Sequence, residues 1–340
     1  MLKVIAYTGG NNSPSSVFRV RQYIPALKES GIEMRECPSW AGAHPPFKKA
    51  LRPLWGLGNL MERAPDTFRS FAYDLVFFQR EMLSTFVTWE PLTRRPRIFD
   101  VDDAIWVHPR GDFTRRLARL CDHVVCGNQF LAVEFSRWNQ NVSILPTPVD
   151  VHSFIPLSEP RDPERLVIGW MGLSRNLTYL YAVERALGEV LRRHPTATLR
   201  VVTGEPPKFS SLRAEQVEYV RWTPENEVRS IQEMTVGIMP LDDNVYARGK
   251  CAFKMLLYMA CGLPVVVSPV GMNAEVLAKA PIGFGAVADS DWVDHLDHLL
   301  RDSGLRSRMG DAGRRVVVEH YSVGALAPKL AETLVSVGGT

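Results

Sequence analysis

Short runs rich in apolar residues recur along this chain, most ending in a glycine or polar turn and followed by a stretch at helical spacing. In the first half they fall at 2–7, 32–37, 74–81, 98–101, 122–126 and 142–145; in the second at 166–172, 198–203, 217–222, 236–239, 265–267 and 283–287. Runs rich in β-branched residues, without polar alternation, suit parallel strands covered on both faces. Between them the spacing predicts helices at about 17–29, 112–120, 129–138, 177–193 and 250–262, with 291–301, 304–321 and 323–337 closing the chain. Ser13 before Pro14 reads as an N-cap with proline at the first helical position. Strand and helix in alternation predict an α/β protein. At 340 residues the chain is long for one domain and suits two Rossmann-like halves. We expect them at 1–157 and 158–322, with 323–340 a helix returning to the first half. Prolines and charges at 157–165 mark the linker.

The stretch 250–271, KCAFKMLLYMACGLPVVVSPVG, organises the second half. Gly262 can cap the helix in the left-handed region, and Pro264 opens the strand Val265-Val266-Val267. Upstream, the strand 236–239 ends in the polar loop Pro240-Leu241-Asp242-Asp243-Asn244. Strand, loop, helix start and next strand form the place where an α/β sheet receives an anionic ligand. The segment MACGLPVVVSPVG resembles the phrase "EAMACGLPVV" in the donor-binding half of GT-B glycosyltransferases. The likeness is to the family-4-like group that elongates bacterial surface polysaccharides. It implies GT-B architecture, with two Rossmann-like domains facing a cleft. It also implies a nucleotide-diphosphate sugar as substrate, no cofactor, and a saccharide or lipid-linked acceptor.

In the first half, the loop Thr8-Gly9-Gly10-Asn11-Asn12-Ser13-Pro14 follows the opening strand. GGNNSP is not GxGxxG, and no acidic residue ends the second strand, so a nicotinamide fingerprint is absent. The resemblance places Gly9, Gly10 and Asn11 at the cleft; a turn that needs glycine explains Gly9 and Gly10 as well. The strand at 74–81 ends in Gln79-Arg80-Glu81 and resembles a family strand whose arginine, here Arg80, points into the cleft. Next, DVDDAIW sets Asp100, Asp102 and Asp103 at the end of a strand. Sheet architecture places that end at the ligand crevice, and like charges so close raise one pKa unless a cation relieves it. Glycosyl transfer needs a carboxylate to take the acceptor proton or to stabilise an oxocarbenium-like centre. These aspartates are the expected catalytic residues, Asp102 and Asp103 ahead of Asp100. His108 is expected along the same cleft. Asn128 follows the strand 122–126 in a unit that resembles the family's ligand-facing turn.

In the second half, the loop after the strand 166–172 holds Gly172, Ser174 and Arg175. The resemblance makes it a grip on the donor diphosphate, with Arg175 the arginine. One departure matters. Family-4 enzymes carry E-x7-E, and alignment on Met259-Ala260-Cys261-Gly262 sets Gly249 and Leu257 at those glutamates. Arg248, Lys250 and Lys254 stand nearby instead, and cations at a helix start would suit a diphosphate. Lys250 is the leading expected ligand and Lys254 the second. Asp242 and Asn244 could replace the lost donor-sugar contacts.

Composition narrows the alternatives. A net charge of +3 argues against nucleic acid, and no run approaches a membrane span. Five cysteines show no metal spacing, so no metal is expected, and a reduced, cytoplasmic compartment is the simple reading. Residues 39–65 mix basic and aromatic positions along an amphipathic segment. That segment either packs on the core or makes a peripheral contact, through 45–63, with the inner face of a membrane. Two other functions stay open: a non-catalytic GT-B subunit that binds glycan or acts as a scaffold, and a sugar-nucleotide epimerase.

Overall fold

A computed structural model of the chain describes residues 1–340 except 12, 41, 43, 44, 47, 109–110, 159–164 and 340. Most of the expected linker, and Phe47 in the amphipathic segment, therefore lie outside the described residues. The chain divides into two compact units. The first comprises Met1–Pro148, Gly249–Cys251 and Val323–Thr340; the second comprises Val149–Arg248 and Ala252–Ser322. The division falls at Pro148 rather than at the expected 157.

The first unit holds one sheet of β1 (Leu2–Thr8), β2 (Ile32–Pro38), β3 (Leu75–Gln79), β4 (Arg97–Val101), β5 (His123–Cys126) and β6 (Val142–Ile144). The order is β2-β1-β3-β4-β5-β6, every pairing parallel. Val4, Ala6, Phe77 and Ile98 of the strands are buried with Leu326, Leu330 and Leu334 of the helix Val323–Gly338. Strand order reverses between β1 and β3, so the loops that leave those strands flank the switch point, where such sheets bind ligands.

The second unit repeats the plan with β7 (Val167–Met171), β8 (Thr198–Thr203), β9 (Val217–Arg221), β10 (Val236–Met239), β11 (Val265–Val267) and β12 (Gly283–Gly285). Its order is β12-β11-β10-β7-β8-β9, again parallel throughout. The switch point lies between β7 and β10, whose loops carry Gly172 to Arg175 and Pro240 to Asn244.

Several predicted elements come out differently, among them the helix at 177–193, which breaks at Val183 into Leu177–Ala182 and Glu184–Arg193. The helix at 17–29 is Pro14–Arg19, a tight turn Arg21–Tyr23, then Ile24–Glu29. Pro25 has no N–H, and its ring clashes with the carbonyl four residues back, so one helix cannot run through Arg21. The helix at 250–262 begins only at Phe253, as Phe253–Ala260, after a separate short helix Val245–Arg248, and Ala252 before it has φ 51°. Lys250 is therefore not at a helix start. The amphipathic segment forms the helix Arg52–Arg69, and its faces are inverted. Its fully buried side chains are Asn59, Arg63 and Thr67, while Leu54, Leu57, Met61 and Phe68 face solvent. Of the apolar positions in this segment, Trp55 and Leu60 are half-buried while Leu57 and Met61 are exposed, so the core-facing alternative holds for only part of it.

Candidate active site

The end of β4 separates the three aspartates. Asp100 lies within the strand and is wholly buried. Arg19, also buried, donates from Nε to its Oδ2 at 3.0 Å and pairs through Nη2 with Oδ1. The third arginine nitrogen, Nη1, donates to the Leu145 carbonyl at 2.6 Å. Burial pushes the Asp100 carboxyl up, and the Arg19 charge opposes it. The expectation of a catalytic Asp100 is corrected accordingly: its carboxylate is an internal ion-pair partner with no exposure to a substrate.

Asp102 and Asp103 lie past the strand end and share Arg80. That residue follows β3 with φ 64°, a conformation uncommon for a side chain of its size. From there its Nε and Nη2 donate to Asp102 Oδ1 at 3.0 and 2.9 Å, and Nη2 reaches Asp103 Oδ2 at 2.8 Å. Ser15, on the first turn after the β1 loop, donates its hydroxyl to Asp102 Oδ2 at 2.6 Å. The pair is driven apart. Burial would raise both, but the Arg80 charge, Arg19 and the Ser15 hydrogen bond bring Asp102 below the usual carboxylate range. Asp103 is raised by burial and by the neighbouring Asp102 charge, with Arg80 and Lys250 opposing. Two carboxyls with opposed shifts are the pattern of an acid–base site.

The segment Gly249–Cys251 closes this group. Asn128 accepts from Leu131 N at 2.8 Å, capping the helix Gln129–Phe135, and its Nδ2 donates to the Lys250 carbonyl at 2.9 Å. The Cys251 thiol donates to the Asp102 carbonyl at 3.1 Å. A Cβ on Gly249 would stand 2.6 Å from Ala104 Cβ and 2.8 Å from its N. This crowding excludes a glutamate at the position the resemblance aligns with the first Glu of E-x7-E. At the second, Leu257 is fully buried, where a carboxylate would lose its water.

The remaining first-unit candidates sit around the same strand ends. Gly10 has φ 130°, and a Cβ there would lie 2.9 Å from the Ser39 carbonyl, so backbone geometry requires this glycine. Asn11 is exposed and its carbonyl accepts from Arg21 Nη1 at 3.1 Å. Gly9 is half-buried beside them. His108 is exposed after the turn Ile105–Val107, and its charge bears on the Glu81 carboxyl, which burial raises.

In the second unit, Ser174 and Arg175 form a tight turn after β7, with Arg175 exposed. The Ser174 hydroxyl lies 3.4 Å from that of Thr203. Gly172 is half-buried, and a Cβ on it would meet the Trp170 ring at 2.6 Å. Tyr258 lies over Gly237, where a Cβ would come within 2.4 Å of its ring, and its hydroxyl accepts from Met171 N at 2.7 Å. Asn244 accepts from Ala247 N at 2.9 Å and so caps the helix Val245–Arg248, while Asp242 is exposed. Lys254, the second expected phosphate ligand, lies 3.3 Å from Glu227 and is half-buried, and burial lowers its pKa. Its charge is committed within the unit. Among the described residues no group of three His, Cys, Asp or Glu is placed to hold a metal ion.

Sequence reasoning missed Ser15, Arg19, Cys251 and Tyr258. Arg19 had a signal, a lone charge in the run Val17-Phe18-Arg19-Val20. The others gave none.

Residues 165–302 match the family model described as glycosyl transferases group 1. A D-inositol 3-phosphate glycosyltransferase of Corynebacterium jeikeium is 28% identical over 194 residues, 50% of this chain and 46% of that protein. The chain thus spans about half the length of the curated relative it matches. Among solved structures, sucrose-phosphate synthase from Thermosynechococcus elongatus superposes with a TM-score of 0.74 at 15% identity over 100% of both chains. Anabaena HepE in complex with UDP-glucose gives 0.70 at 13% identity, over 99% of this chain and 100% of that one. The fold is GT-B.

Proposed function

On the premise that this GT-B chain carries a group 1 glycosyltransferase domain at 165–302, we propose that it moves a sugar from a nucleoside-diphosphate donor to an acceptor hydroxyl. The observation that carries the reading is the split carboxyl pair, Asp102 below and Asp103 above the usual range, on one arginine at the end of β4. The second unit takes the donor. The turn from Leu173 to Arg175 and the exposed Arg175 side chain receive the diphosphate, as anions favour the switch point of such a sheet. In the first unit Asp103, raised and therefore more basic, accepts the acceptor hydroxyl proton as the new C–O bond forms. The bond to the diphosphate breaks and its electron pair leaves with the phosphate oxygen. Asp102, held ionised by Arg80 and Ser15, orients that arginine. The sugar is a hexose or deoxyhexose and the acceptor a saccharide or lipid-linked hydroxyl. Attack on the face from which the diphosphate leaves would retain the configuration of the anomeric carbon, and that face is the one we propose. HepE, on the same fold, is a UDP-glucose binder by its complex, which supports a nucleotide-sugar donor.

A thermal-shift screen with UDP, GDP, dTDP and their sugars tests the reading on the wild type and on Arg175→Ala and Lys250→Ala. Ligand at a hundred times its dissociation constant adds about 2.7 kcal/mol of stability. A rise with one nucleotide, lost in Arg175→Ala, supports the transferase and identifies its base. No rise with any nucleotide refutes it and favours the non-catalytic subunit.

A further inference from the structure

The helix Arg52–Arg69 presents its faces the wrong way round for a surface helix. Leu54, Leu57, Met61 and Phe68 recur every three, four and seven residues and are between 56% and 74% exposed. The opposite face is polar and has a structural task. Arg63, 1% exposed, donates to the carbonyls of Cys37 at 2.7 Å and Thr8 at 2.6 Å, which end β2 and β1. Asn59 accepts from the Ser39 hydroxyl at 2.9 Å, and Thr67 donates back to the Arg63 carbonyl at 2.9 Å. The inner polar face is thus fixed, and the apolar stripe cannot turn inward without leaving those strand ends unsatisfied.

The leading end of the stripe is cationic, with Lys48, Lys49 and Arg52 exposed there. The helix carboxylates are turned in: Glu62 accepts from Trp40 N at 2.8 Å, and Asp66 is paired with Arg69. Trp40, held there by its backbone, is 74% exposed. An apolar stripe with cations at its leading end and an aromatic at its side complements the interface of an anionic bilayer, apolar side chains in the acyl boundary and cations among phosphates. A second copy of the chain would meet like charges with like charges.

We propose that this helix docks the protein in the plane of an anionic lipid surface. The inference stands on this helix and the residues beside it and does not depend on the transfer reaction. Cosedimentation of the full chain is measured with vesicles of phosphatidylcholine alone and of phosphatidylcholine and phosphatidylglycerol in equal parts. Light scattering runs in parallel without vesicles. The wild type should partition onto the mixed vesicles only. Leu54→Glu/Leu57→Glu/Met61→Glu should reduce partition more than tenfold, and Lys48→Ala/Lys49→Ala/Arg52→Ala about fivefold per cation. All these side chains are exposed, so the unfolding temperature should hold. Equal partition onto both vesicle types, no binding to either, or binding that survives the triple glutamate variant overturns the proposal. So does a dimer that the glutamate variant dissolves, which would give the stripe to a second copy.

Discussion

Replacing Arg19 by methionine isolates the buried pair beneath the acid group. Methionine fills much of the same volume but leaves Asp100 without its partner and the Leu145 carbonyl without its 2.6 Å donor. An ionised carboxylate at 0% exposure is not tolerated, so Asp100 takes up a proton. Protonation caps the penalty. Holding a carboxyl neutral at pH 7 against an unfolded value near 3.9 costs about 4 kcal/mol, and the orphaned carbonyl adds about 1–3 kcal/mol. The sign follows from the raised folded pKa: the contribution is most favourable below the unfolded value and is lost as pH rises. The deficit relative to wild type should therefore shrink as pH falls below 7, by at most about 1.4 kcal/mol for each pH unit. Urea denaturation of both proteins at pH 7, 6 and 5 reads it directly. Adding Asp100→Leu removes the charge that lacked a partner and should recover most of the loss. A deficit under about 1 kcal/mol, or one that does not change with pH, would refute the assignment of Asp100 as an internal ion-pair partner.

Further outcomes follow from the same group of residues. Asp103→Asn should lower kcat by about 10²–10⁴. The acid limb of kcat/KM in the wild type should lie above the ordinary aspartate value, because burial and Asp102 raise Asp103. In Asp102→Asn that limb should move down, since the like charge is gone; a limb that stays put argues against Asp103 as the base. Gly249→Glu, which restores a family carboxylate on paper, should destabilise by about 1–3 kcal/mol and gain no turnover. A stable Gly249→Glu enzyme with raised activity would show that Ala104, 2.6 Å from the new Cβ, gives way.

Strands were the legible part of the sequence. A run such as Val265-Val266-Val267 has one comfortable setting, a covered parallel strand, and the structure pairs it on both sides. The faces of helices were not legible in the same way. Spacing in Arg52–Arg69 shows an apolar stripe but not which side of the helix the fold covers, and here the decision rests with two strand-end carbonyls that need Arg63. The site shows a similar limit. The cluster of aspartates was visible, but what sorts Asp100 from Asp102 is Arg19, 81 residues away in sequence. The break before Phe253 was hidden too, because it depends on a positive φ at an alanine and on anchors at Asn128 and Asp102.

The three-segment make-up of the first unit bears on how this protein can be recombined. A fragment cut at Pro148 loses Gly249–Cys251 and Val323–Thr340. It would leave the Asn128 amide without the Lys250 carbonyl and bare the core surface that Leu326, Leu330 and Leu334 cover. A chimaera that exchanges the second unit for another donor specificity therefore needs junctions on both sides of 249–251 as well as at 148 and 322. Without that triplet the transplanted half would arrive with its host's acid group unclosed.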